Sequence, residues 1–153
     1  MKPFALLLIV FALTAIISKI FSRDWNLPLS GNLALGVMLC FTALGHFMFT
    51  KGMSMMIPDF IPFKKEVVYF TGVLEIILGL ALLFPTFRPI IGIIIIVFFI
   101  LILPANIYAA IKNLNYEKGT FDGEGLRYLW FRVPLQLFFI AWVWFFAVRD
   151  LNY

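Results

Sequence analysis

From residue 89 to residue 111 the chain reads PIIGIIIIVFFILILPANIYAAI, and no charged side chain interrupts it. A helix over that run is about 35 Å long at 1.5 Å per residue, enough to cross a hydrocarbon core of about 30 Å. The β-branched stretch 93–97 does not argue for a strand. In lipid an open strand leaves its backbone groups unpaired, whereas a helix pairs them internally. The run therefore predicts a transmembrane helix, over about 88–112.

The same reasoning predicts helices over about 3–21, 29–50, 66–84 and 126–149, giving five crossings in one transmembrane domain, 1–153. The first stretch has only Lys2 as a basic flank and no Ala-x-Ala-like site after it, so it reads as a retained helix rather than a signal peptide. Residues 22–28 form a short turn with Trp25 at the interface. Residues 51–65, broken by Pro58 and Pro62, are apolar for a loop and are expected to lie in the interface or fold back over the helix ends. Residues 113–125 form the one properly polar loop.

Composition agrees: 63% of the 153 residues are hydrophobic and 13% are charged, against about 25% charged in soluble domains. A water-soluble fold of this size leaves about a third of its unfolded surface exposed and has nowhere to hide so much apolar area. The lipid bilayer is the expected partner. The net charge of +4 comes from Lys and Arg scattered through short loops beside apolar runs, which suits a membrane surface and not nucleic acid. The chain has 1 Cys, Cys40, and 1 His, His46. A disulfide or a Cys-x-x-Cys pair within the chain is thereby excluded, as is two-histidine haem ligation. A metal site wants several His, Cys or carboxylate ligands, and His46, Glu75 and Asp59 are a poor set, so no metal is predicted.

With five crossings, one face carries Lys2, Lys51, Lys64, Lys65, Lys112, Lys118 and Arg127. The other carries Lys19, Arg23, Arg88 and Arg149. The positive-inside rule then puts the N-terminus in the cytoplasm and the C-terminus outside.

Polar residues inside the apolar segments are costly in a bilayer and usually face the bundle interior, so each is a candidate site residue. They are His46, Glu75, Asn106, Arg132 and Gln136. Counted from the face of loop 51–65, His46, Asn106 and Arg132 lie roughly 6–9 Å deep, and Glu75 and Gln136 about 14–15 Å. All five fall in one leaflet. Arg132 and Gln136 share a helix face, and so do Gly72, Glu75 and Gly79, where the glycines let another backbone approach the carboxylate. Pro104 and Pro134 free the carbonyls of Ile100 and Trp130 near the same depth. An ion pair between Glu75 and Arg132 is the expected centre of this layer; interhelical glue with no ligand is the competing reading.

The residues also carry a family resemblance. Gly45-His46-Phe47, Met56-Ile57-Pro58 leading into Tyr69-Phe70-Thr71-Gly72-Val73-Leu74-Glu75, Leu103-Pro104-Ala105-Asn106-Ile107-Tyr108 and Arg132-Val133-Pro134-Leu135-Gln136 occur in an order that resembles the DoxX-like membrane proteins. The resemblance covers about residues 29–149. It implies an all-α fold in which the second to fifth helices form a four-helix bundle and the first is an addition, and it implies a bacterial cytoplasmic membrane location. The family is named for a membrane subunit linked to thiosulfate:quinone oxidoreduction, and more distant relatives resemble cargo receptors and receptor chaperones.

Three function classes follow. The leading one is an accessory membrane component that binds a small lipophilic or anionic ligand, quinone being the cofactor the resemblance suggests. The others are an intramembrane acid–base enzyme on a lipid-like substrate, with Glu75 or His46 as proton carrier, and a chaperone for another membrane protein. The topology is open to a direct check. Cysteine-accessibility labelling is expected to place loops 51–65 and 113–125 on one side, and residues 22–28 and 85–88 on the other. Labelling of both sets from one side would remove the five-crossing arrangement.

Overall fold

The structure is a computed structural model and describes residues 2–149. Its elements are α1 (Lys2–Ser22), α2 (Leu27–Met48), a short α3 (Thr50–Met55), α4 (Lys64–Ala81), a 3₁₀ turn (Pro85–Phe87), α5 (Arg88–Ile111) and α6 (Leu126–Val143), which a π-helical turn (Trp144–Val148) continues. No strand forms among the described residues; a single bridge pairs Asn115 with Thr120.

Local chemistry sets the helix ends. Arg23 takes a left-handed backbone (φ 56°) just past α1. Asn26 then caps α2, its Oδ1 accepting from the Leu29 amide at 3.1 Å, with Pro28 in the first turn where its missing N–H goes unnoticed. The helix expected over 66–84 runs instead over Lys64–Ala81. Its last turn tightens before Pro85: the amides of Leu83 and Phe84 bond three residues back, to Leu80 and Ala81, at 3.1 Å each. The apolar segment 51–65 contains α3 and folds over the helix ends. Gly52 is buried against the Tyr116 backbone, leaving no room for a side chain, and Phe49 meets Tyr116 edge to face at 6.3 Å. Asp59 fastens the rest of the segment, accepting from Lys64 at 2.6 Å, Tyr108 at 3.1 Å and Lys112 at 3.4 Å. Those bonds, Lys64 first and then Tyr108 and Lys112, hold the Asp59 carboxyl at about 2.

The helices run up and down the bundle. α4 is antiparallel to α2, with Gly72 against His46 and Gly79 against Gly36. α5 is antiparallel to α6, with Gly92 against Ala147 and Val148. α1 is parallel to α6: Phe4 meets Phe138 at 5.4 Å and Phe11 meets Trp142 at 5.0 Å. The start of α2 is tied to the end of α6 through Trp142 Nε1, which donates to Gly31 O at 3.1 Å, and Asn32 Nδ2, which donates to Phe146 O at 2.6 Å. α2 is thus the central element, packed on α1, on α4 and on the end of α6. The shared core draws Leu7 from α1, Leu35 and Leu39 from α2, Leu78 and Leu82 from α4, Ile95 and Phe99 from α5, and Phe139 and Val143 from α6.

Four spans are long and apolar enough to cross a membrane: Lys2–Ser22, Leu27–Met48, Pro85–Ile111 and Leu126–Val148. α4 differs because Lys64, Lys65, Glu66 and Glu75 crowd its 18 residues with charge. It still runs about 27 Å along the bundle, carrying the chain from the end holding α3 to the end where α5 begins. Along the lengths of the helices the outer surface carries many large apolar side chains, including Ile9, Leu13, Ile16 and Ile20 of α1 and Ile90, Ile94, Val97 and Leu101 of α5. Such continuous apolar area marks a lipid-covered surface.

The tightest packing is the α2–α4 crossing. A Cβ on Gly36 would stand 2.7 Å from Gly79 O, and one on Gly79 would stand 2.9 Å from Gly36 O. Backbones that close require glycine on both sides and gain Cα–H···O contacts in return. Gly79→Val is expected to destabilise the protein by about 1–3 kcal/mol through overpacking, measured as thermal or denaturant unfolding in detergent. An unchanged midpoint would mean that the two helices do not meet there.

Candidate functional site

The α2–α4 seam also holds the polar cluster. On α2, Thr42 and His46 are four residues apart and share a face; on α4, Thr71 and Glu75 do the same. Gly72 makes the encounter possible, since a Cβ there would stand 2.8 Å from the His46 Cβ. Glu75 is buried at 4% exposure. Its Oε2 accepts the Thr42 hydroxyl at 2.9 Å and lies 3.6 Å from His46 Nε2.

On the other edge of the imidazole, Nδ1 lies 3.0 Å from Val68 O and 3.1 Å from Thr71 Oγ1. A carbonyl only accepts, so the tautomer that satisfies this contact carries its hydrogen on Nδ1 and donates to Val68. The neutral ring then turns a lone pair at Nε2 toward the Glu75 carboxyl, and two acceptors facing each other repel. One shared proton relieves this: either Glu75 is protonated beside a neutral imidazole, or the imidazolium faces a carboxylate. Both arrangements leave the pair neutral overall, as a low-dielectric interior favours.

The other candidate residues lie apart from this pair. Gln136, buried on α6, donates through Nε2 to Phe99 O of α5 at 2.7 Å, beside the backbone that Pro104 disturbs. Asn106, also buried, donates to Ile102 O of its own helix at 3.1 Å. No hydrogen bond or ion pair links Asn106, Arg132 or Gln136 to His46 or Glu75 among the described residues. The ion pair expected between Glu75 and Arg132 does not form; Glu75 faces the His46 imidazole instead, at 3.6 Å. The cause is the packing order: α4 lies on α2 and α6 on α5, so the two faces do not meet. Arg132 instead lies toward the polar loop, within electrostatic reach of Tyr116, whose hydroxyl burial pushes up while Arg132 opposes the shift. The Arg132 Nε is buried with no hydrogen-bond partner.

Three further residues of these polar contacts, Thr42, Thr71 and Asn32, carry no ionisable group and are not among the residues expected from the sequence. Thr42 and Thr71 are ordinary helix residues by composition, and their signal is the spacing to His46 and Glu75. Asn32 bridges Pro28 O at 2.8 Å and Phe146 O in the π-helical turn, its Oδ1 remaining unpaired. An amide so early in an apolar helix was its signal. Two apolar grooves complete the picture. One, about 580 Å³, lies between α5 and α6, lined by Ile93, Ile96, Val97, Ile140, Trp144 and Phe145 among others. The second, about 250 Å³, lies between Phe4 of α1 and Trp130, Pro134 and Phe138 of α6. Neither is lined by His46 or Glu75. Among the described residues no three His, Cys, Asp or Glu side chains gather in a metal-binding group.

An all-helical bundle with four helices long and apolar enough to cross a membrane, enclosing a carboxylate–imidazole pair, defines the class: a multi-pass helical membrane protein. The chain belongs to the family described as Domain of unknown function (DUF8561), which matches residues 35–147. No curated protein and no solved structure matches it.

The pairing makes a quantitative contrast. In double-mutant cycles of thermal stability, Glu75→Gln with His46→Gln is expected to couple by about 0.5–3 kcal/mol, as contacting residues do. Glu75→Gln with Arg132→Met is expected to be additive. The reverse pattern would restore the Glu75–Arg132 pair and remove the one described here.

Proposed function

We propose that the chain is an accessory component of the membrane, related to the DoxX-like proteins, that binds a small lipophilic ligand of the quinone type beside a proton-holding pair. The observation that carries this reading is Glu75, buried between α2 and α4 and held by Thr42 and His46. An ionisable group that deep is expensive, at about 2.5–3.5 kcal/mol on insertion scales for an isolated charge, and usually serves a site. Reduction and oxidation of a quinone-type ligand take up and release protons, which a neutral carboxyl–imidazole pair can hold without placing net charge in lipid.

In this reading α4 also crosses the membrane, making five crossings with the N-terminus in the cytoplasm. The family match begins at residue 35 and so leaves α1 outside it, which supports α1 as an addition to a four-helix core. The bacterial cytoplasmic membrane is the proposed location.

A second reading is favoured by the same pair. Carboxyl and imidazole within one proton's reach are the equipment of general acid–base chemistry, and a lipid-like substrate would meet them in the membrane.

Native mass spectrometry of gently extracted protein, with lipidomics of what it retains, separates the two. A lipophilic species enriched over bulk lipid in the wild type and lost in Glu75→Gln is the expected result. A chemically altered lipid formed by the wild type and not by Glu75→Gln would favour the enzyme. Retention of the same bulk lipids by both proteins, with no alteration, would overturn both.

A further inference from the structure

We propose that Glu75 exchanges its proton with one membrane face only, the face carrying α3 and loop 113–125, and that His46 is the relay. The inference rests on α4 crossing the membrane, and it names the proton as a ligand of the same polar site.

The two ends of the α2–α4 seam are built differently. Toward the α3 end, polar groups continue outward from Glu75. His46 Nε2 faces the carboxyl, while Nδ1 faces Val68 O and Thr71 Oγ1, one to two turns nearer the start of α4. The ring therefore lies along the seam with one nitrogen inward and one outward. Exposure rises the same way, from 6% for the Glu75 side chain to 13% for His46, and α2 ends two residues later, at Met48. Thr50 continues the polar file, donating to His46 O at 2.7 Å.

Toward the other end the seam is closed. Gly36 and Gly79 bring the two backbones into contact, and Leu35, Leu39, Leu78 and Leu82 are all buried around them. No polar side chain of α2 or α4 bonds across the seam between Glu75 and that end. Of the ionisable groups on the packed elements, His46 and Cys40 of α2 are the ones facing Glu75. α3 contributes only Lys51, which is exposed, and α5 keeps Arg88 and Tyr108 at its two ends.

Release conserves every atom. The proton on Glu75 Oε2 passes to Nε2 and leaves a carboxylate. The imidazolium gives up its Nδ1 hydrogen to the Thr71 hydroxyl, which hands its own proton to water at the α3 face. What remains is the neutral ring protonated at Nε2, donating to the carboxylate, with Nδ1 now accepting the Thr71 hydroxyl at 3.1 Å. The bare Nδ1 beside Val68 O and the uncompensated carboxylate make this the higher-energy state, which favours reloading. Loading is the same path reversed, so no rotation of the ring is needed. His46 and Thr71 touch only the moving proton.

Infrared difference spectroscopy on the full chain in vesicles of known orientation tests this. The carbonyl stretch of protonated Glu75 is assigned by its loss in Glu75→Gln. A pH step on the α3 face is expected to change that band promptly, and the same step on the opposite face to leave it unchanged while the gradient holds. His46→Phe, and independently the near-isosteric Thr71→Val, should slow the response by about a hundredfold, in line with the loss of a positioned proton carrier. Equal response from both faces, no titration of the band from either face, or unchanged rates in both variants would overturn the proposal while leaving ligand retention to be judged by mass spectrometry. Labelling that puts both ends of α4 on one face would overturn both readings.

Discussion

The contact between the backbones of Gly36 and Gly79 is the constraint on which the rest of the structure depends. In a membrane no hydrophobic force presses one apolar helix on another, because lipid tails are as apolar as leucine. Close packing and interhelical hydrogen bonds must supply the association. The two glycines let α2 and α4 approach until main-chain atoms touch, and the approach places Thr42 and His46 within reach of Glu75 one to two turns away. A side chain at either glycine would part the helices and strand a carboxyl in an apolar medium. Packing and polar chemistry are therefore one feature, and α4, the most charged of the long helices, is held where its charge is satisfied.

The opposite side of the bundle solves the same problem with prolines and a π-helical turn. Pro104 disturbs the hydrogen-bond ladder of α5 one turn from Phe99, and Gln136 donates to the Phe99 carbonyl across the interface. The π-helical turn at the end of α6 offers the Phe146 carbonyl to Asn32 at the start of α2. Irregular backbone is tolerated in lipid where buried side chains satisfy it. These bonds fasten α6 to α5 and to α2, which leaves α4 as the neighbour that α6 does not pair with.

That arrangement explains which parts of the site were legible in the residues. Gly72, Glu75 and Gly79 share a face at any helical spacing, and the need for a close partner follows from two glycines flanking a carboxylate. The partner's identity does not. Glu75 and Arg132 are the obvious opposite charges at overlapping depth, and depth counting cannot choose between neighbours in a bundle. Depth is set by position along one helix, whereas pairing is set by rotation of each helix and by the order in which helices surround one another. The threonines are not legible for a related reason: a hydroxyl that bonds back to its own helix, as Thr71 does to Val67 and Val68, is unremarkable until a second helix brings an acceptor or an imidazole beside it.

The sequence by itself determined that the chain is helical and membrane-bound, because the length and charge-free character of its apolar runs leave its backbone no other way to be satisfied in lipid. It also determined where two of the breaks fall, since Pro85 and the polar run 113–125 act locally. Only the tertiary structure decided that α2 is central, that α3 and the segment tied down by Asp59 lie across one end, and that the buried acid faces the imidazole rather than the guanidinium. Those outcomes depend on which helix faces meet, and the shapes of the faces, above all the two glycines, select the neighbour by contact distance rather than by charge.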